Sequence, residues 1–138
     1  MSGHAYSLEG KTRLKLRLLD DSIRLRLSRG DVAQAEGSGV VEGRTRFPDG
    51  SSFTFALESL PRGPAGAAYA RDRMVVRLPA GDISRWANDD HAVSLEQEIE
   101  LPGGDRLKLL VEKDFQCLTA RDDEDQSDLF TNPGADEC

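Results

Sequence analysis

Long apolar runs are absent from this sequence, and so are several features on which common functions depend. No apolar stretch approaches the ~20 residues that a membrane-spanning helix needs, so we predict no membrane partner. Residues 1–7 lack the basic and apolar regions of a secretory signal. The two cysteines, Cys117 and Cys138, both lie in the last quarter of the chain. We therefore expect reduced thiols and a cytoplasmic location.

Histidine is equally scarce, since His4 and His91 are the only two. Cys117 has no Cys-x-x-Cys partner, so the sequence indicates no zinc site, and we predict no metal and no cofactor. Gly37-Ser38-Gly39 lacks the lysine and the flanking elements of a phosphate-binding glycine loop. A nucleophilic pair of Cys117 and His91 stays open, but nothing in the sequence favours it over a buried thiol.

The sequence also has no excess of basic residues. The formal net charge is −7, which argues against bulk nucleic-acid binding because such binding relies on a basic surface. The charge is unevenly distributed. Residues 11–77 include 13 basic and 8 acidic residues, whereas residues 78–138 include 5 basic and 16 acidic residues. A local basic surface formed by the first half therefore remains compatible with the sequence.

Alternation of apolar and charged residues, by contrast, is abundant. In Leu14–Leu18 and Ile23–Leu27, leucine or isoleucine alternates with arginine or lysine, which is typical of strands with one buried face. Similar runs predict more strands, and Ser28–Glu36 and Pro79–Asn88 predict short helices. The residues expected to be mostly buried are Leu14, Leu16, Leu18, Ile23, Leu25, Leu27, Phe53, Phe55, Leu57, Val76, Leu78, Trp86, Leu107, Leu109 and Val111.

The two halves of the chain match each other. Gly30-Asp31-Val32 and Gly81-Asp82-Ile83 each follow an Arg-Leu pair at the end of a predicted strand, and Phe53–Glu58 matches Leu107–Glu112. Any two β-rich segments share some alternation, but matching turns and helix starts favour duplication. We predict a mainly β, α+β fold: an antiparallel barrel or sandwich of about eight strands with two short helices, built from two ββαββ halves.

This pattern divides the chain into three parts. Residues 1–11 are expected to form an N-terminal extension. Residues 12–115 are expected to form one duplicated β-rich domain, with halves 12–59 and 67–115, and residues 116–138 an acidic tail.

The predicted tail holds 7 acidic residues and one arginine, a composition typical of a solvated segment. It also contains apolar residues, and the first half of the chain is basic. We therefore expect the tail to fold back on the body at least as far as Phe130, with Leu129 or Phe130 as its apolar anchor.

Charged residues on the predicted strands provide the candidate binding residues. They are Arg13, Arg24, Arg26, Glu112, Lys113 and Asp114, together with Cys117. Two rows of basic residues lie on neighbouring strands: Arg13, Lys15 and Arg17, and then Arg24 and Arg26. If these rows lined a cavity, they could hold a phosphate, and the row Glu96, Glu98, Glu100 could hold Mg²⁺. Facing solvent, the same residues would form cross-strand ion pairs. We favour the solvent-facing arrangement because the alternating leucines are the natural core.

The phosphate hypothesis rests on a loose similarity to triphosphate-tunnel enzymes, which carry a Glu-x-Glu-x-Lys strand. Here Glu98-Ile99-Glu100 is followed by Leu101-Pro102, so the lysine is missing. The segment Glu112-Lys113-Asp114 allows two interpretations. It is either a strand end whose charges pair locally, with Phe115 and Leu118 closing the core, or a recognition site; we favour the strand end.

Several stretches resemble a family of small bacterial proteins classed as a domain of unknown function. They are Asp21–Ser28, Leu110–Leu118, Glu124–Asp128, Asn132-Pro133 and Cys138. The resemblance covers most of residues 12–138 and implies that the tail belongs to the family pattern. It implies no activity.

The sequence therefore predicts a non-enzymatic cytoplasmic binding or interaction module whose ligand it does not identify. One alternative is a phosphate- or polyphosphate-handling enzyme that uses the basic strand faces and the carboxylate row. Another is a self-associating structural protein. The partner is expected to be another protein or a second copy of the chain.

Overall fold

The fold is built from eight strands and two helices, in a computed structural model that describes residues 12–115 and Phe130. In chain order they are β1 (Lys15–Leu18), β2 (Ser22–Leu27), α1 (Arg29–Gly37), β3 (Val40–Arg46), β4 (Ser52–Leu60), β5 (Gly66–Ala70), β6 (Arg73–Pro79), α2 (Ala80–Ala87), β7 (Ser94–Glu100) and β8 (Arg106–Lys113). Each half contributes the predicted order of two strands, one helix and two strands.

The strands form two four-stranded sheets. Sheet A has the order β1-β2-β8-β7, and sheet B has the order β3-β4-β6-β5. Each half therefore places its first hairpin in one sheet and its second hairpin in the other. The halves join through the central strands, where β2 pairs with β8 and β4 pairs with β6; both of these pairings are parallel. The other four pairings are antiparallel, and the predicted α+β fold class is confirmed.

Matching backbone hydrogen bonds support the predicted duplication. Ser59 N–H donates to the carbonyl oxygen of Gly39 at 2.8 Å, and its counterpart Lys113 N–H donates to that of Val93 at 3.0 Å. Where each half joins the other, Thr54 and Lys108 donate in the same way to the turn residues Asp72 and Asp21, both at 2.9 Å. The two central parallel pairings are thus made in the same way.

The core lies between the inner faces of the sheets and the two helices. Leu25 and Leu57 are fully buried, and Trp86 is 2% exposed. Most of the predicted core residues are buried, while Leu16, Phe53, Phe55 and Leu107 are half-buried. The prediction was wrong for Leu18, which is 56% exposed, because it ends the short edge strand β1.

The helices begin differently in the two halves. The Ser28 hydroxyl accepts a hydrogen bond from Asp31 N–H, and the Asp31 carboxylate accepts one from Ser28 N–H, both at 3.2 Å. This capping box stabilises the start of α1, although burial raises the pKa of Asp31. In the second half Pro79 precedes α2 and provides no such bond. Neither helix in the described part of the chain is long and apolar enough to cross a membrane.

Candidate functional site

The outer face of sheet A carries most of the candidate residues. Residues that pair directly across neighbouring strands point to the same side of a sheet, so the pairings define rows across this face. The three rows, from β1 towards β7, are Lys15–Arg26–Glu112–Ser94, Arg17–Arg24–Leu110–Glu96 and Ser22–Lys108–Glu98. We call these eleven residues the ionic face. They lie opposite the leucines that fill the core.

Opposite charges are concentrated at opposite sides of the ionic face. The cations of β1 and β2 are only partly balanced. Asp114 lies 3.0 Å from Lys15, and the two arginines of β2 share Glu112, which lies 3.6 Å from Arg24 and 3.3 Å from Arg26. The Arg17 and Lys108 side chains have no ion-pair partner among the residues that the structure describes. On β7, Glu96 is exposed. The face is therefore basic on one side and acidic on the other.

A shallow depression of about 280 Å³ lies across the middle of the ionic face. Arg17, Arg24, Lys108 and Glu96 line it, with Leu110 among them. The phosphate hypothesis requires this kind of convergence, but the depression opens on the solvent side of a sheet and not inside a barrel. Within the described ranges, no cluster of three or more histidine, cysteine or acidic residues could hold a metal ion.

Lys113, the next residue after Glu112, does not join the ionic face. Lys113 is 5% exposed on the inner side of sheet A, and its Nζ donates a hydrogen bond to the carbonyl oxygen of Asp89 at 2.9 Å. The same ammonium lies 5.7 Å from the centre of the Trp86 ring and 5.5 Å from that of Phe130. Such cation–π contacts are favourable when the cation is desolvated, so Lys113 has a structural role.

Asp114 is also directed into the body. Its buried Oδ2 lies 3.0 Å from Nζ of Lys15, an ion pair outside hydrogen-bond geometry. Arg13 precedes β1, and a backbone hydrogen bond links it to Asp31. The structure thus brings Arg24, Arg26 and Glu112 together and places the other described candidates elsewhere. Cys117 lies outside the described residues.

Phe130 packs on the body, as the sequence predicted for a tail anchor. Its N–H donates to the Asp114 carbonyl oxygen at 2.8 Å, and its ring centre lies 5.6 Å from that of Phe115. Arg29 approaches the Phe130 ring to 6.0 Å. Leu129 and the other residues of 116–129 lie outside the described residues. Phe130 therefore lies at the same end of sheet A as Phe115.

Removing this anchor should cost stability. We expect Phe130→Ala to lower the free energy of unfolding by about 1–3 kcal/mol, less than for a fully buried phenylalanine. Urea unfolding gives the value, and limited proteolysis should show faster cleavage after Arg121. Phe47→Ala is the control, because Phe47 is 48% exposed. Equal losses from the two substitutions would contradict the anchor.

The outer face of sheet B provides an internal comparison with the ionic face. Arg77 Nε donates to Glu58 at 3.0 Å, and Arg73 donates to Glu58 at 3.2 Å and to Glu42 at 2.9 Å. These side chains surround Ala56, which is fully buried on this outer side. Hydrogen bonding from Arg77 and then from Arg73, opposed by some burial, lowers the pKa of Glu58. This network closes the centre of the face and is structural.

Acid should therefore weaken the fold in part through Glu58. A carboxylate whose pKa is lowered by folding stabilises the protein fully above its ordinary pKa, 4.5 here, and loses that contribution as the pH falls through the folded pKa. In urea unfolding, Glu58→Gln should be less stable than the wild type at neutral pH, and the difference should shrink in acid. Glu100→Gln is the control, since Glu100 is exposed and its cross-strand neighbour Arg106 forms its ion pair with Glu98 instead. A constant difference across the pH range would contradict this role.

Sequence reasoning missed Lys108 and Leu110 as members of the ionic face. The alternation that predicted Leu107 and Leu109 as core residues also puts Lys108 on the opposite side, so that signal was present. Leu110 gave none, because it interrupts the pattern as an apolar residue on an outer face.

Comparison with protein families matches residues 14–134 to a family of unknown function, DUF7009. The match includes Glu124–Asp128 and Asn132-Pro133, which contributed to the resemblance in the sequence, and ends before Cys138. Comparison with curated proteins finds no match, and comparison with solved structures finds none.

Proposed function

Because the chain belongs to the DUF7009 family, whose function is unknown, we propose a role from its own surface: a non-enzymatic interaction module that docks through the ionic face. The observation that carries the proposal is the group of cations on β1, β2 and β8, in which Arg17 and Lys108 have no ion-pair partner among the described residues. A flat charged sheet face suits a protein surface of opposite charge. We also propose the cytoplasm as its location.

The two outer faces differ in how their charges are arranged. In the equivalent position on sheet B, Arg77 and Arg73 both reach Glu58 over a buried alanine. On sheet A the arginines share Glu112, and Arg17 and Lys108 extend the positive surface beyond it. The number of unpaired cations alone does not distinguish the two faces, because Arg44 and Arg46 of β3 also lack an ion-pair partner among the described residues. What distinguishes sheet A is that its cations lie beside a row of exposed glutamates on β7.

A fluorescent glutamate-rich peptide tests the basic side of the face. Fluorescence anisotropy should show binding that weakens as salt is added. Arg17→Ala/Arg24→Ala should reduce the affinity about tenfold, since exposed ion pairs contribute up to ~1 kcal/mol each. Arg44→Ala/Arg46→Ala removes the same charge from the outer face of sheet B and is the matched control. Equal losses in the two variants would count against docking at the ionic face.

A phosphate-handling enzyme is the second candidate function. It is favoured by the depression that joins Arg17, Arg24 and Lys108 to Glu96. Tripolyphosphate with Mg²⁺ separates the two candidates, because a ligand bound to the folded protein raises its melting temperature. We expect no shift and no phosphate release. A shift that Arg24→Ala abolishes would favour the enzyme.

A further inference from the structure

We infer that the partner docking on the ionic face is a second copy of this chain, in a twofold-symmetric dimer. The inference rests on the proposed function and identifies its partner. The ionic face is basic along β1 and β2 and carries glutamates along β7. A surface with opposite charges at its two sides can complement itself, provided that the symmetry brings the basic side of one copy against the acidic side of the other.

One orientation of the twofold axis achieves this. An axis parallel to the strands preserves the position along each strand and reverses the order of the strands across the face. Each row of the ionic face then meets the same row read backwards. In the row Arg17–Arg24–Leu110–Glu96, Arg17 lies opposite Glu96 of the second copy, and Arg24 lies opposite Leu110.

The neighbouring rows are self-complementary in the same arrangement. In Lys15–Arg26–Glu112–Ser94, reversal places Arg26 opposite the second copy's Glu112 and Lys15 opposite its Ser94. In the remaining row, Ser22 lies opposite Lys108. None of the residues in these rows meets a residue of like charge. The arginine side chains that face Leu110 would cover it with their methylene groups.

Other arrangements fit the charges less well. A twofold axis perpendicular to the strands would place β1 against β1, so that Lys15 and Arg17 would face the cations of the second copy. A uniformly acidic partner would match β1 and β2 but oppose the glutamates of β7. The order of charges across the face therefore favours the second copy.

Sedimentation equilibrium tests the inference. The wild type should form a dimer at low ionic strength, and its dissociation constant should rise at least about tenfold when salt screens the charges. Arg17→Glu should be monomeric, because it places two glutamates opposite each other twice in each dimer. Glu96→Arg should also be monomeric, because it places two arginines opposite each other twice in each dimer. A 1:1 mixture of the two variants should form a heterodimer, since both Arg–Glu contacts are restored.

The mixture separates a specific contact from a general effect of charge. Arg46→Glu, on the outer face of sheet B, is the control and should dimerise like the wild type. A monomeric wild type, or a mixture that fails to associate, would overturn the inference. If the monomeric protein nevertheless binds the glutamate-rich peptide through Arg17 and Arg24, the proposed docking function stands and only the second copy is wrong. If it binds neither, both are wrong.

Discussion

Leu25→Ala should lower the free energy of unfolding by about 2–5 kcal/mol. Leu25 is fully buried on β2, the central strand through which the first half joins the second. Its removal leaves a cavity where it lies beside Val111 of β8. The loss therefore combines the transfer of a buried side chain to water with the cavity that remains.

Urea or thermal unfolding measures this change, and Leu18→Ala is the matched control. Leu18 belongs to the same hairpin and the same alternating pattern, but it is 56% exposed. Its loss should cost about 1 kcal/mol or less. If both substitutions cost the same, Leu25 does not occupy the core position that the pairing of β2 with β8 gives it.

Gly43→Ala should destabilise the protein by about 1–3 kcal/mol, because it overfills a tight contact. Gly43 of β3 pairs directly with Phe55 of β4. A Cβ atom added at this glycine would lie 2.6 Å from two carbons of the Phe55 ring. The ring or the strand would have to move, and the packing of sheet B would be disturbed.

Two further variants locate the cause of that loss. Gly37→Ala in α1 adds the same methyl group, but no atom lies within 4 Å of the added Cβ position, so it should stabilise by about 0.4–1 kcal/mol. In a Phe55→Leu background, Gly43→Ala should cost less because the ring is gone. An equal cost in both backgrounds, measured by urea unfolding, would show that the ring contact is not the reason.

Local pattern predicted the elements of this fold but not how the strands meet. The period of two in Ile23–Leu27 identified β2 and its buried face, and Ser28 marked the start of α1. Partner choice depends on long-range contacts that alternation does not encode. The parallel pairing of β2 with β8, which joins the two halves, therefore emerged only from the structure.

For the candidate site, too, local pattern predicted which residues share a strand face but not which residues of other strands lie beside them. Alternation placed Arg24 and Arg26 on one strand face, but it could not put them beside Glu112, which is far away in the chain. The local sequence does not indicate the burial of Lys113, because a lysine at a strand end is usually exposed. Its burial depends on Trp86 and on Phe130 from the tail, a combination that local sequence does not reveal.

Mapping the peptide contact by NMR tests the central claim, that the ionic face is the docking surface. The glutamate-rich peptide would be titrated into ¹⁵N-labelled protein at a concentration at which the protein is monomeric, and the changes in backbone amide shifts would be assigned to residues. We predict that the largest changes fall on β1, β2 and β8, around Arg17, Arg24 and Lys108. Changes centred on Arg44 and Arg46 of sheet B, or no changes at all, would contradict the account.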